Sequence, residues 1–215
     1  MLKKFFIIIT NTSRSLAYLK ILKKNKIIPH EIIYLNNGIN NKFSIALKKK
    51  KFYFPKIKIK IFKNDNVSNN VSKYLLRRNI KNVIYSGYPA KIVKNKKTLK
   101  KLNFIHSHPG KLPEFKGSTT IYYSLLKYKK IFCSTIILNE NIDGGKLLFT
   151  KRYPIPSNIL SIDKKYDNLI RSKNLLYVLK NFIKLKPKKQ KKNDKYPYHV
   201  IHPVLRSIVF KKIMN

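Results

Sequence analysis

The stretch His106-Ser107-His108-Pro109-Gly110-Lys111-Leu112-Pro113 decides the fold class of this chain. It follows the apolar run Leu102–Ile105, which is typical of a buried strand. Alternate residues of a strand point to the same face, so we expect His106 and His108 to lie side by side at the strand end. Open α/β sheets bind ligands outside the carboxyl ends of their strands. The sequence therefore predicts a functional site here.

The first part of the chain predicts a β-α-β unit. Phe5–Thr10 is an apolar, β-branched run, typical of a parallel strand buried on both faces. Thr12 or Ser13 can cap the helix that follows, and Glu31–Leu35 indicates a second strand before a turn at Asn36–Gly38. Right-handed crossover makes the two strands parallel neighbours. We expect a Rossmann-like open twisted α/β sheet, mostly parallel, with helices on both faces.

The rest of the chain continues this alternation of strands and helices. Helices are predicted at Asn66–Arg78, from Ser118 onward, and between Ile162 and Ile183. Further strands are predicted at Lys56–Phe62, Asn82–Ser86, Phe104–His108, Ile131–Leu138 and Lys146–Thr150. Residues 1–184 are expected to form one domain, and residues 185–215 a basic linker with a C-terminal docking segment.

The charge of the chain is extreme. Among 215 residues, 49 Lys and Arg stand against 8 Asp and Glu, for a formal net charge of +41. This balance is typical of proteins that bind nucleic acid or an anionic membrane surface. AT-rich coding sequence produces the same bias without a polyanionic partner, and both explanations stay open. Because acidic residues are scarce, each is expected to have a structural or chemical reason.

The single cysteine and the N-terminus bear on location. Cys133 has no partner for an internal disulfide, which fits a reducing compartment and a cytoplasmic protein. Its apolar surroundings in the sequence indicate a packed thiol rather than a nucleophile. The apolar N-terminus is short and lacks a cleavage pattern, so it predicts a strand, not a signal peptide. No run approaches the length of a membrane span.

Asp143 is the best candidate partner for the two histidines. It lies in the glycine-flanked loop Asn139–Gly145, after a predicted buried strand. A carboxylate beside an imidazole favours the charged ring and raises its pKa, which makes a better general acid near neutral pH. Asp-Gly is also common in surface turns, so the residues alone leave both interpretations open.

Two separated motifs surround the predicted site. His108-Pro109-Gly110-Lys111-Leu112-Pro113 is followed by Gly117, and Ile142-Asp143-Gly144-Gly145 comes downstream. They resemble the catalytic core of the 10-formyltetrahydrofolate-dependent formyltransferases, whose pattern is Asn-x-His-Pro-Ser-x-Leu-Pro, a nearby Gly and a later Asp-x-Gly loop. The resemblance covers most of the chain up to Thr150 and makes residues 1–184 a formyltransferase-like catalytic domain.

The resemblance implies an enzyme that transfers a formyl group from 10-formyltetrahydrofolate to a small-molecule primary amine. His108 would be the catalytic imidazole that stabilises the oxyanion and helps protonate the departing folate nitrogen, and Asp143 would hold and charge it. His106 would occupy the position of an oxyanion donor. No metal is implied. The pterin would bind two loops, at Gly87, Tyr88, Pro89, Ala90, Lys91, Ile92, Asn139, Glu140 and Asn141.

Three features depart from the family pattern. His106 stands where the family has Asn, and a neutral imidazole donates from only one nitrogen. Gly110 replaces Ser, which is the milder change. The loop Thr10–Ser15 lacks the glycines that cradle phosphate in glycinamide ribonucleotide formyltransferases. The chain is also short for the tRNA-binding domain of a methionyl-tRNA formyltransferase. By elimination, we expect the acceptor to be an amino sugar, and more specifically an amino sugar linked to a nucleotide.

Two other functions stay open. His106, His108 and Asp143 would also make the two-His, one-carboxylate metal site of a hydrolase. The basic charge would suit a catalytically inactive formyltransferase-like module that binds RNA, although basic and aromatic residues are not interleaved as in known RNA-binding motifs. Nucleic acid is therefore the less favoured partner. The sequence predicts no oligomeric state.

Overall fold

The computed structural model describes residues 1–36, 54, 57–63, 67, 69–88, 93, 95–193 and 195–214, with residue 164 described by its backbone alone. The predicted turn at Asn36–Gly38 lies almost wholly outside these residues. The described part contains seven strands: β1 (Phe6–Thr10), β2 (Glu31–Asn36), β3 (Lys58–Lys63), β4 (Asn82–Tyr85), β5 (Asn103–His108), β6 (Ile131–Ile137) and β7 (Lys146–Tyr153).

Six α-helices accompany these strands in the described part of the chain. They are α1 (Ser13–Lys24), α2 (Asn69–Leu76), α3 (Lys96–Lys101), α4 (Thr120–Tyr128), α5 (Asp167–Asn181) and α6 (Pro203–Met214). A π-helical turn, Ile162–Tyr166, leads directly into α5. None of the described helices combines the length and the apolar character that a membrane span requires.

The strands form one sheet in the order β3-β2-β1-β4-β5-β6-β7. The first five are parallel to one another, whereas β6 and β7 are antiparallel to their neighbours. The order reverses between β1 and β4, and ligands bind at such switch points in open α/β sheets. The predicted Rossmann-like, mostly parallel sheet is confirmed.

Helices cover both faces of the sheet because its central strands are apolar on both sides. In β1, Ile7 and Ile9 belong to the core shared with α1 and α5, whereas Phe6 and Ile8 belong to the core shared with α2. All of β1 is buried, as a central strand covered on both faces must be. The predicted strand at the N-terminus is therefore confirmed.

A third core lies beyond β6, where α4 and α6 pack together. Tyr122 of α4 contacts Phe210 of α6 edge to face, with ring centroids 6.0 Å apart. Cys133 is fully buried in this core, and burial raises the pKa of its thiol. The packed thiol that the sequence predicted is confirmed.

Candidate active site

Both histidines belong to β5, which continues to His108 as predicted. The strand pairs with β4 on one side and with β6 on the other, where His106 faces Ile136 and His108 faces Ser134. Being two residues apart, the imidazoles share one face of the sheet. His106 is half-buried, whereas only 3% of His108 is exposed. The two rings are neighbours with different access to solvent.

Asp143 reaches His108 from the loop between β6 and β7. Its Oδ2 atom lies 3.3 Å from Nδ1 of His108 and accepts a 2.9 Å hydrogen bond from the backbone N–H of Gly117. Asp143 has a left-handed φ of 49°, which Asp tolerates better than most residues. Its side chain is only 12% exposed, so Asp143 is not a solvated turn residue. The structure brings the two predicted partners together, and their catalytic roles stay predictions.

The other ring nitrogen of His108 is also occupied. Nε2 lies 2.7 Å from the carbonyl oxygen of Phe115 and 3.2 Å from Oγ1 of Thr120. Thr120 donates its own hydrogen to the carbonyl of Pro109, so both groups beside Nε2 are acceptors. We therefore assign the single proton of the neutral ring to Nε2. The proton that titrates then lies on Nδ1, facing Asp143.

Burial decides the net pKa of His108. Removal of the ring from water lowers its pKa, Asp143 raises it and Arg171 lowers it, and the net direction is downward. The sequence predicted the opposite direction, and that prediction was wrong because it considered the carboxylate without the burial of the ring. A charged ring would satisfy Asp143 and Phe115 together, so the hydrogen bonds favour the state that burial disfavours.

Gly110 makes room for this position of His108. A Cβ atom on Gly110 would lie 2.7 Å from Nε2 of His108 and from the carbonyl oxygen of Phe115. It would also lie 2.9 Å from Oγ1 of Thr120. Only a residue without a side chain fits so close to its neighbours. The replacement of the family Ser, expected to be the milder change, is therefore coupled to the placement of the ring.

His106 is held through one nitrogen. Nδ1 lies 3.1 Å from the carbonyl oxygen of Tyr85, and because a carbonyl only accepts, Nδ1 carries the proton of the neutral ring. Nε2 then carries a lone pair. Burial, followed by the charges of Arg14 and Arg171, holds the pKa of His106 well below its ordinary value. A neutral His106 can therefore accept a hydrogen bond at Nε2 but cannot donate one there, unlike the side-chain amide of Asn.

The lowered pKa of His106 predicts a stability that depends on pH. The unfolded chain takes up a proton at His106 as pH falls through about 6.5, whereas the folded protein resists it. The free energy of unfolding should fall below that pH, by at most about 1.4 kcal/mol per pH unit from this side chain. Urea unfolding at about pH 7.5 and about pH 5.5 should show a smaller loss in His106→Asn than in the wild type. Equal losses would contradict the lowered pKa.

Two arginines near the histidines were not singled out by the sequence motifs. Arg171 of α5 donates to the carbonyl of Ser107 and to Oδ1 of Asp167, each at 2.7 Å. Arg14, at the start of α1, donates to the carbonyl of Gly87. Only six of the 49 basic residues are arginines. Their scarcity was a signal of the same kind as the scarcity of acids that drew attention to Asp143.

The first loop predicted to bind the pterin is only partly described. Gly87 uses its carbonyl oxygen to accept from Arg14. Tyr88 donates its hydroxyl to the carbonyl of Leu35 at 2.6 Å, which ties this loop to β2. The other four predicted residues lie outside the described part of the chain: Pro89, Ala90, Lys91 and Ile92.

The second predicted pterin loop is the one that carries Asp143. The Asn139 side chain accepts from the N–H of Asn141 at 3.1 Å and donates to the carbonyl of Gly144 at 3.2 Å. Glu140 forms an exposed ion pair with Lys96. These contacts shape the loop, and pterin binding by Asn139, Glu140 and Asn141 stays a prediction.

Three of the four ring nitrogens of the histidine pair are engaged with acceptors of the protein itself. His106 faces the carbonyl of Tyr85, and His108 faces Asp143 and the carbonyl of Phe115. Among the residues that the structure describes, no group of three or more His, Cys, Asp or Glu side chains is arranged to hold a metal ion. The geometry therefore offers no support for the hydrolase alternative.

Comparison with known proteins agrees with the motifs, although no family model matches the chain. A methionyl-tRNA formyltransferase of Ehrlichia chaffeensis is 35% identical over 100 residues, which span 45% of this chain and 33% of that protein. A sugar N-formyltransferase structure from Shewanella has a TM-score of 0.62 and 18% identity, over 90% of this chain and 76% of that one. Glycinamide ribonucleotide transformylase 1 from Symbiobacterium toebii has a TM-score of 0.63 and 13% identity, over 87% of this chain and 95% of that one.

The structural matches and the sequence match support different conclusions. The structural ones are remote in sequence and establish the fold, whereas the sequence match covers only a third of the length of the curated relative. The three proteins are named for three different acceptors. The resemblance predicted from the two motifs is confirmed: the chain is similar in sequence to methionyl-tRNA formyltransferases over less than half of its length, and it shares the fold of the formyltransferase structures.

Proposed function

We propose that this chain transfers the formyl group of 10-formyltetrahydrofolate to a primary amine. The observation that carries the proposal is the buried pair of His108 and Asp143, 3.3 Å apart at the end of β5, in a relative of the formyltransferases. An imidazole with a carboxylate partner suits a reaction in which one proton must change place.

The proposed reaction has a simple balance. The amine nitrogen attacks the formyl carbon and forms a bond to it, the bond from that carbon to folate N10 breaks, and one proton moves from the amine nitrogen to N10. His108, protonated on Nδ1 beside Asp143, stabilises the negative charge on the formyl oxygen, supplies the proton to N10 and then takes up the proton that the amine nitrogen loses. Asp143 holds the ring and balances its charge. No covalent intermediate with the protein is needed.

In this proposal His106 is a hydrogen-bond acceptor, and not the oxyanion donor that the resemblance implies. Because Nε2 of its neutral ring is an acceptor, His106 binds an N–H of the amine and directs the nitrogen lone pair at the formyl carbon. The half-buried position of the ring leaves it accessible to a reactant. The pterin binds the two predicted loops, Gly87–Ile92 and Asn139–Asn141.

A nucleotide-linked amino sugar is the acceptor we propose. The first loop has hydroxyls in place of the glycines of a phosphate cradle, and these bond to one another. Oγ of Ser15 lies 3.0 Å from Oγ1 of Thr12 and 2.8 Å from Oγ of Ser86. A loop closed on itself in this way is a poor cradle for a terminal phosphate. The sugar N-formyltransferase with the same fold supports this choice.

An amine carried by RNA is the second candidate acceptor. The curated relatives that match in sequence are methionyl-tRNA formyltransferases. Beside the Asp143 loop, a run of lysines is exposed, as phosphate binding would require. These are Lys184, Lys186, Lys188, Lys189, Lys191, Lys192 and Lys195.

Formyl transfer to a panel of amines tests both candidates. Nucleotide amino sugars should be formylated with little dependence on salt. For an aminoacyl-RNA held by about six lysines, kcat/KM should fall about a thousandfold between about 50 and about 200 mM salt. Absence of any formylated product, together with RNA binding that survives raised salt, would instead favour the inactive RNA-binding module.

A further inference from the structure

The described residues of segment 185–198, namely 185–193 and 195–198 and here called the strap, lie against both loops of the candidate site. Near its start, Lys188 exchanges two 2.8 Å backbone hydrogen bonds with Leu147 of β7. At its end, Tyr198 donates to the carbonyl of Lys116 and accepts from the N–H of Ser118, each at 2.8 Å. The strap therefore joins the strand after the Asp143 loop to the loop that follows His108.

Between these two ends, Gln190 binds the backbone of the Asp143 loop. Its Nε2 donates to the carbonyl oxygens of Asp143 and Gly145, both at 2.7 Å. Two carbonyls can only accept, so the amide nitrogen must face them. Gly145 lies close to the end of β6, where a Cβ on this residue would be 1.9 Å from the carbonyl oxygen of Ile137. Gln190 thus holds the backbone of the loop that carries the Asp143 carboxylate.

The strap also holds the loop after His108. Asn193 donates from Nδ2 to the carbonyl of Pro113 at 2.7 Å. The Tyr198 ring stacks on Phe115 with centroids 5.7 Å apart, and the Tyr198 backbone leaves no room for a side chain on Gly117, where a Cβ would lie 2.3 Å from its oxygen. The carbonyl of Phe115 lies beside Nε2 of His108, and the backbone N–H of Gly117 donates to the Asp143 carboxylate. The strap therefore supports both members of the pair.

We propose that Gln190 is a positioning residue that holds Asp143 against His108. It acts through two backbone carbonyls and touches neither the His108 ring nor the Asp143 carboxylate. The effect of Gln190 on the rate of formyl transfer rests on the proposed function, whereas its effect on the position of Asp143 relative to His108 does not. The segment that separates the catalytic domain from the C-terminal helix is then a working part of the site.

Three variants test this role. Gln190→Leu removes the N–H donor at similar size, Gln190→Lys keeps an N–H donor, and Tyr196→Ser changes a strap residue that is 92% exposed. In Gln190→Leu we expect kcat to fall about tenfold or more with KM for the folate nearly constant, because small displacements of reacting groups lower rates strongly. Gln190→Lys should recover most of the rate, and Tyr196→Ser should match the wild type.

A readout without substrate separates this proposal from the proposed function. NMR titration of the His108 imidazole should give a lower pKa in Gln190→Leu, because Asp143, which raises that pKa, is held less firmly. The other charges that act on His108, Arg171 and Asp167, are unchanged. Gln190→Ala provides the same test where the leucine variant does not fold.

The outcomes are distinct. A wild-type kcat and a wild-type His108 titration in the Gln190 variants would overturn the positioning role. A loss of rate in Gln190→Lys as large as in Gln190→Leu would also overturn it, since the donor is then irrelevant. A lowered His108 pKa in Gln190→Leu, with no formyl transfer by any of the proteins, would support the positioning role and overturn the proposed function.

Discussion

Asp143→Asn should lower kcat for formyl transfer by about 100-fold or more, the range for loss of a positioned acid–base system. An amide at this position can still accept the N–H of Gly117, but it cannot balance a charge on Nδ1 of His108. Without the carboxylate, burial and Arg171 lower the pKa of His108 further, so less of the charged ring is present at neutral pH. KM for either substrate should change little, because the missing interaction serves the transition state.

Steady-state kinetics with the folate donor and the best amine of the panel measure this effect. Asp163→Asn is the matched control, because Asp163 pairs with Arg206 at 2.8 Å on the surface, where it is 43% exposed. Its kcat should stay within about twofold of the wild type, as for most surface substitutions. A wild-type rate in Asp143→Asn would defeat the proposed mechanism, and equal losses in both variants would show a general effect on folding.

Arg171→Met should lower the free energy of unfolding by about 3 kcal/mol, the lower end of the range for breaking a buried ion pair from one side. The Arg171 and Asp167 side chains are only 12% and 25% exposed, so Asp167 would lose its partner where water replaces it poorly. The carbonyl of Ser107, between the two histidines, would lose its 2.7 Å hydrogen bond from Arg171 as well. Methionine retains most of the apolar stem.

Urea unfolding measures this loss, with Lys96→Met as the control. Lys96 and Glu140 also form an ion pair, but they are 73% and 56% exposed, so its removal should lower the free energy of unfolding by at most about 1 kcal/mol. Losses of similar size in the two variants would contradict a buried role for Arg171. Arg171→Met should also raise the pKa of His108, because the charge of Arg171 lowers that pKa in the wild type.

The scarcity of acidic residues proved to be an informative feature of the sequence. Six of the eight acids are described, and each has a polar partner. Glu31 is buried and accepts from the hydroxyl of Tyr74 at 2.5 Å, and Glu114 accepts from Tyr128 and Lys127. The remaining four are Glu140, Asp143, Asp163 and Asp167, each in an ion pair. Composition alone could indicate that a partner exists, but not which one.

Predictions failed where they concerned the environment of a ring. The pKa of His108 was expected to rise because only Asp143 was considered, and the burial that reverses its direction comes from elements distant in sequence. The exchange of Ser for Gly110 was expected to be the milder change and stays untested, but the sequence could not show that a Cβ at this position would lie 2.7 Å from Nε2 of His108. The strap contacts of Gln190 span more than forty positions, and no local pattern marks them.

By itself, the sequence determined the order of the seven strands, four of the six described helices, and the stretch His106–Pro113 at the end of β5, whereas the helices α3 and α6 were not predicted. Hydrophobic periodicity and turn residues act over a few positions, so these features can be read locally. Tertiary structure decided which nitrogen of each ring meets an acceptor, that burial lowers the pKa of both rings, and that Gln190 supports Asp143. Hydrogen-bond partners and desolvation depend on groups brought together from separate parts of the chain, so only the folded chain determines them.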